Sequence, residues 1–152
     1  KAKRNAYNKE YSSRPENIAK AQSRKSTPEA KAQAKELSAR PENKANLKQR
    51  RDDKRLKVLQ YYSKSLSNSD IPCCNCCGLN NHVGFLALDH IVGKRHMDSE
   101  NELVKLGYDS NMHSDTLLQW ITDNNFPKGF QTLCHNCNMS KGFYGTCPHV
   151  RK

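Results

Sequence analysis

Four thiols crowd into five positions at Cys73-Cys74-Asn75-Cys76-Cys77, and Gly78 follows directly. A second pair, Cys134 and Cys137, has C-x-x-C spacing farther along the chain. Two such pairs can place four thiolates around one tetrahedral zinc ion, whose binding energy then becomes folding energy. The first cluster allows two registers, Cys73 with Cys76 or Cys74 with Cys77. Only the second register is followed at once by glycine, the residue that lets the backbone turn tightly towards a metal. The expected zinc ligands are therefore Cys74, Cys77, Cys134 and Cys137, with Cys73 and Cys76 as spares. Cys147 and His149, near the end of the sequence, make a weaker pair of candidate ligands. Seven cysteines without a visible leader favour metal ligation over disulfides and an intracellular, non-secreted protein.

The elements around these thiols are short. Residues 84–91 alternate and then run apolar, which predicts a strand ending in Asp89-His90. Residues 130–133 predict a second strand, and a short helix is expected to begin after Cys137. Residues 114–124 read as a capped amphipathic helix with Leu117, Leu118, Trp120 and Ile121 on its core face. His135, between two thiols, reads as an exposed residue.

C-x-x-C-G, then Leu88-Asp89-His90-Ile91, then Leu133-Cys134-x-x-Cys137-Asn138-x-x-Lys141-Gly142 follow one another in this order. Order and spacing together resemble the HNH endonuclease family, most closely its phage and homing members, over about residues 72–149. The resemblance implies a ββα-metal fold with a structural zinc ion and a catalytic divalent ion such as Mg²⁺. It implies that Asp89 and Asn138 hold that ion and that His90 activates water for attack on a phosphodiester, leaving 5′-phosphate and 3′-hydroxyl ends. Lys141, one turn beyond Asn138, would hold a phosphate oxygen. The family's middle asparagine lies a few residues before the third cysteine. Gly129 stands there in this chain, and Asn125, with Asn124 behind it, is the nearest candidate. The chemistry is coherent on its own terms. Phosphodiester hydrolysis needs a cation on the phosphate and a base for water, and an aspartate is a hard oxygen ligand suited to Mg²⁺. A strand alternates its side chains, so His90 is expected on the face opposite Asp89 unless the strand end twists.

The charge is divided as sharply as the cysteines. Residues 1–60 carry 18 Lys and Arg against 7 Asp and Glu, so all of the formal +11 lies there and none in the remainder. Pro15, Pro28 and Pro41, each followed by glutamate, recur at a step of 13 residues. Proline at the first helical position starts a helix, and the residue before it is driven out of helical geometry. Short helices separated by kinks are expected. Their few aliphatics form no stripe, which excludes a core and argues against a membrane-lying helix. No apolar run is long enough to span a bilayer. An arm laid along a polyanion fits better, with cations displacing counterions from phosphates. Its candidate contacts are Arg14, Lys20, Arg24, Lys25, Lys31, Lys35, Arg40, Lys44, Lys48, Arg50, Arg51, Lys54 and Arg55. Arg95 and His96, in the loop after the first strand, are further candidates.

The expected architecture is α+β: residues 1–55 form a basic helical DNA-binding arm, and residues 56–152 form a small zinc-stapled nuclease domain. Double-stranded DNA is the expected partner and no membrane is involved. A non-catalytic zinc-ribbon DNA-binding protein, or a structure-specific or packaging-associated nuclease, is the alternative.

Overall fold

A computed structural model of the chain describes residues 2–67 and 70–151, with the side chains of 2–6, 9, 64–67, 150 and 151 left aside. Residues 1–48 and 49–152 are separate compact units.

The first unit is helical. Helices α1 (Ala2–Ser13), α2 (Pro15–Ser26) and α3 (Pro28–Ala39) are followed by α4 (Pro41–Ser67). Arg14, Thr27 and Arg40 interrupt them in extended geometry, with ψ of 134°, 147° and 133°. Each precedes a proline, whose ring excludes helical geometry from the residue before it. Thr27 also accepts a hydrogen bond from the Ala30 amide at 3.2 Å and caps α3. Neither α2 nor α3 buries a residue. Helices of 12 residues without a packed face are marginal on propensity alone.

The second unit begins inside α4. It contains strands β1 (Leu86–His90) and β2 (Phe130–Cys134), joined antiparallel as the only sheet among the described residues. Between the strands lie α5 (Asn101–Lys105) and α6 (Ser114–Asp123), and α7 (His135–Tyr144) follows β2 directly. This is the mixed helix-and-sheet class expected, with a small two-stranded sheet. Helix α7 starts at His135, earlier than the sequence suggested, because Cys134 caps it by accepting from the Cys137 amide at 3.4 Å. Both Cys137 and Asn138 therefore lie in its first turn.

Two apolar clusters hold the unit. One gathers Val58 of α4, Met97, Leu103, Tyr108, Phe130 and the apolar face of α6. Ile121 is fully buried in it, and Trp120 donates its indole N–H to the Leu106 carbonyl at 2.8 Å. The other mixes Leu59, Leu86 and Leu133 with Cys74, Cys134, Cys137 and Cys147. Thr132 of β2, fully buried, links sheet to helix by donating to the Leu59 carbonyl at 3.0 Å. The end of α4 thus docks as Leu59 and Val58 predict. Three cations expected on the arm also belong to this unit. Arg51 pairs with Asp115 at 3.1 Å, Lys54 donates to Gln119 at 2.5 Å, and Arg55 donates to the Leu86 carbonyl. No helix among the described residues is long and apolar enough to cross a membrane.

Candidate functional site

The thiols meet where the loop after α4, the end of β2 and the start of α7 converge. Cys74 and Cys77 form a knuckle closed by the Gly78 amide donating to the Cys74 carbonyl at 2.9 Å. Gly78 takes φ +76°, a left-handed conformation that any Cβ would strain. The knuckle is tied to β2 by the Asn75 amide, which donates to the Thr132 carbonyl at 2.8 Å. The Sγ atoms of Cys74, Cys77, Cys134 and Cys137 all lie within 4.8 Å of one another.

That arrangement fits a tetrahedral ion. Zn–S bonds of about 2.3 Å set tetrahedral sulfurs about 3.8 Å apart. The Cys77 and Cys134 sulfurs are 3.8 Å apart. Amides also point at the sulfurs: Cys76 N–H donates to Cys74 Sγ and Cys137 N–H to Cys134 Sγ, both at 3.4 Å. Burial raises the Cys74 thiol, but backbone hydrogen bonds from Cys134, Cys77 and Cys76 outweigh it and bring the thiol down to about 7. Burial and the neighbouring thiols push Cys137 strongly up. Thiols this close cannot all ionise beside one another without a cation, and the group could hold a metal ion such as zinc. The register anticipated from Gly78 is the one in which the four sulfurs meet.

Cys73 is buried and belongs to no metal-capable group among the described residues. Cys76 differs from the spare it was read to be. It joins Cys137, Cys147 and His149 in a second group whose ligand atoms also lie within 4.8 Å of one another. His135 is exposed, and its ring lies 3.2 Å from the Gly84 carbonyl.

Strand β1 carries Asp89 and His90 to opposite faces. In the register, Asp89 stands across from Gln131, and His90 from Phe130. Asp89 is buried and accepts from Gln131 Nε2 at 2.7 Å and from Lys141 Nζ at 2.5 Å. Lys141 also donates to the His90 carbonyl at 2.8 Å, so one ammonium holds both the carboxylate and the backbone beside it. The His90 ring packs 5.1 Å from the Phe130 centroid and 6.2 Å from Tyr108. Burial lowers its pKa first, with Asp89 opposing and Lys94 and Lys141 adding to the effect, so the neutral imidazole is favoured. His90 Nε2 is buried and has no hydrogen-bond partner among the described residues.

Asp89, His90, His96, Asn138 and Lys141 line one open cleft of about 540 Å³. A carboxylate and an amide oxygen are hard donors that suit a divalent ion, and Lys141 supplies the positive charge against Asp89. His90 also borders a second groove of about 430 Å³, lined by Arg51, Arg55 and Lys94.

Other expected residues lie elsewhere. Asn125 is exposed at φ +57° in the turn closing α6, and Asn124 donates to the Trp120 carbonyl at 2.9 Å. Neither lines the cleft, because that turn is fixed by the Phe126 amide donating to the Ile121 carbonyl at 2.9 Å. Arg95 is exposed beside His96. From Arg14 to Arg50 the expected arm cations are exposed, although Arg14 and Arg40 pair loosely with Glu10 and Glu36. Gln131 was missed. Its signal is the strand register, which pairs it with Asp89 only once β1 and β2 are aligned. Compared with protein-family models, curated proteins and solved structures, the chain matches none, and its functional reading rests on the geometry of these residues.

Proposed function

We propose that the chain is a metal-dependent DNA endonuclease of the HNH type, built as a ββα-metal unit with a structural zinc ion and preceded by a basic DNA-binding arm. The observation that carries this reading is one cleft lined by Asp89, His90, Asn138 and Lys141, next to the thiol cluster that anchors both β2 and α7. Zinc binding alone requires none of those four side chains.

In the proposed reaction, Asp89 and Asn138 would hold a divalent ion, which when bound would supply charge stabilisation to the phosphate and the leaving oxygen. Gln131 keeps the Asp89 carboxylate aimed, so it is a positioning residue. Lys141, released from Asp89, is free to neutralise a phosphate oxygen. His90 borders the same cleft, and its imidazole, whose pKa burial lowers, would take the proton of attacking water. Arg51, Arg55 and Lys94, on the groove that shares His90, are suited to the flanking phosphates. The exposed cations of the arm supply sequence-independent affinity, which falls with added salt. A homing role, in which the arm extends a long recognition site, is the specific form we favour.

The test is supercoiled plasmid incubated with Mg²⁺, comparing the protein with His90→Ala. Nicking by the former alone supports the reading, and equal nicking by both sinks it. A second reading has its own observation. Asp89 is already satisfied by Lys141 and Gln131, and His90 packs on aromatic rings, as purely structural residues would. Under that reading the chain is a non-catalytic zinc-ribbon DNA-binding protein. It would bind duplex DNA and leave plasmid intact with every divalent ion tried.

A further inference from the structure

The second thiol group lies outside the four-sulfur site yet shares a ligand with it. Cys76, Cys137, Cys147 and His149 bring three sulfurs and an imidazole nitrogen within 4.8 Å of one another, and Cys137 belongs to both groups. The geometry points to a two-metal centre in which Cys137 bridges two zinc-class ions, one held by Cys74, Cys77 and Cys134, the other by Cys76, Cys147 and His149.

The ligand arithmetic closes. Two tetrahedral ions sharing one thiolate need seven ligands, four plus four less the one shared. Six cysteines and His149 supply seven, and of the seven cysteines in the sequence only Cys73 is left over. The distances agree. Zn–S of about 2.3 Å and Zn–N of about 2.05 Å place a tetrahedral sulfur and nitrogen about 3.5 Å apart. His149 Nδ1 lies 3.3 Å from Cys137 Sγ and 3.4 Å from Cys147 Sγ.

The chain path delivers these ligands. Gly145 ends α7 at φ +73°, a left-handed closure at which glycine is unstrained, and the backbone doubles back. Pro148 then opens a 3-10 turn, Pro148–Arg151, that sets Cys147 and His149 on one side of the buried Cys137. Cys147 is buried among thiols and leucines although it lies near the end of the sequence. The interleaving of the first cluster also acquires a reason. Cys74 and Cys77 face one ion and Cys76 the other, so the crowded C-C-N-C-C run carries two ligand sets.

The inference is independent of the nuclease reading and is tested without activity. The full chain is desalted, and its metal content is measured by native mass spectrometry and elemental analysis. The expected result is two zinc ions per chain, falling to one in both Cys147→Ser and His149→Ala. One ion in the unsubstituted chain, unchanged by either substitution, overturns the proposal. Because a variant can fail through misfolding, a second measurement uses the unsubstituted, ¹⁵N-labelled chain loaded with ¹¹³Cd. Two cadmium resonances are expected, with coupling to the His149 imidazole nitrogen on one of them. A single resonance, or two that both lack nitrogen coupling, refutes the bridged centre.

Discussion

Replacing Lys141 with methionine tests how the cleft is held together. The Lys141 side chain is 23% exposed and that of Asp89 10%, so this is not a screened surface pair. Methionine keeps the length of the aliphatic stem and removes two charge-assisted donors, one to Asp89 Oδ2 and one to the His90 carbonyl. Breaking a fully buried pair costs about 3–5 kcal/mol. The cleft is open on one side and Gln131 still donates to Asp89, so the expected loss is about 2 kcal/mol. For a unit of this size that lowers Tm by about 10 °C. Trp120 is the single tryptophan and packs against Phe130, which touches the His90 ring, so its fluorescence reports the unfolding of this core. Urea melts of zinc-loaded Lys141→Met, Asp89→Asn and the double variant complete a cycle. The double variant should cost less than the sum of the singles by at least about 1 kcal/mol. A Tm loss under about 3 °C together with an additive double variant would refute the pairing and with it the account of the cleft.

Three further outcomes follow from the same geometry. Zinc content should fall by at least one ion in Cys74→Ser and Cys134→Ser, whereas Cys73→Ser, outside both ligand groups, should retain metal and lose no more than about 1.5 kcal/mol. Thr132→Val should destabilise by about 1 kcal/mol in urea melts, since it removes a buried hydrogen bond while Ser63 still donates to the Leu59 carbonyl. Asp98 is held below the usual carboxylate range by hydrogen bonds from the Ser110 side chain and amide, the latter at 2.8 Å. A depressed folded pKa stabilises above the unfolded value of about 3.9 and is lost as pH falls through the folded value, so Asp98→Asn should flatten the acid limb of the stability curve below about pH 4.

Local rules carried much of this structure. Proline dictates where α1 to α4 break, and alternation dictates β1 with Asp89 and His90 on opposite faces. Glycine after Cys77 dictates the knuckle, and the apolar face of α6 its place in the core. What stayed hidden depends on pairing across distance. Gln131 reaches Asp89 only through the strand register, and Lys141 reaches it only because Cys134 starts α7 early enough to lay the lysine over β1. Read alone, Lys141 was a phosphate contact; in the fold it is first the partner of Asp89. Cys76 and the Cys147–His149 pair were invisible as one group because they lie far apart in sequence and meet only around Cys137 in the fold. Arg51, Lys54 and Arg55 read as arm residues by charge, yet their contacts are with the second unit, since a docked helix face can be basic where polar partners await it. Asn125 was placed by sequence distance from Cys134, which takes no account of the left-handed turn that points it elsewhere.

Asp89 and His90 are proposed to serve hydrolysis of a phosphodiester, and the ends of the cut DNA test that role most directly. Supercoiled plasmid is treated with zinc-loaded protein and Mg²⁺, and the nicked product is then offered to DNA ligase. Nicks that ligase reseals, the signature of 5′-phosphate and 3′-hydroxyl ends, are expected, with their loss in Asp89→Asn at unchanged zinc content. Plasmid left intact by the unsubstituted protein, or nicked equally by Asp89→Asn, would contradict that role.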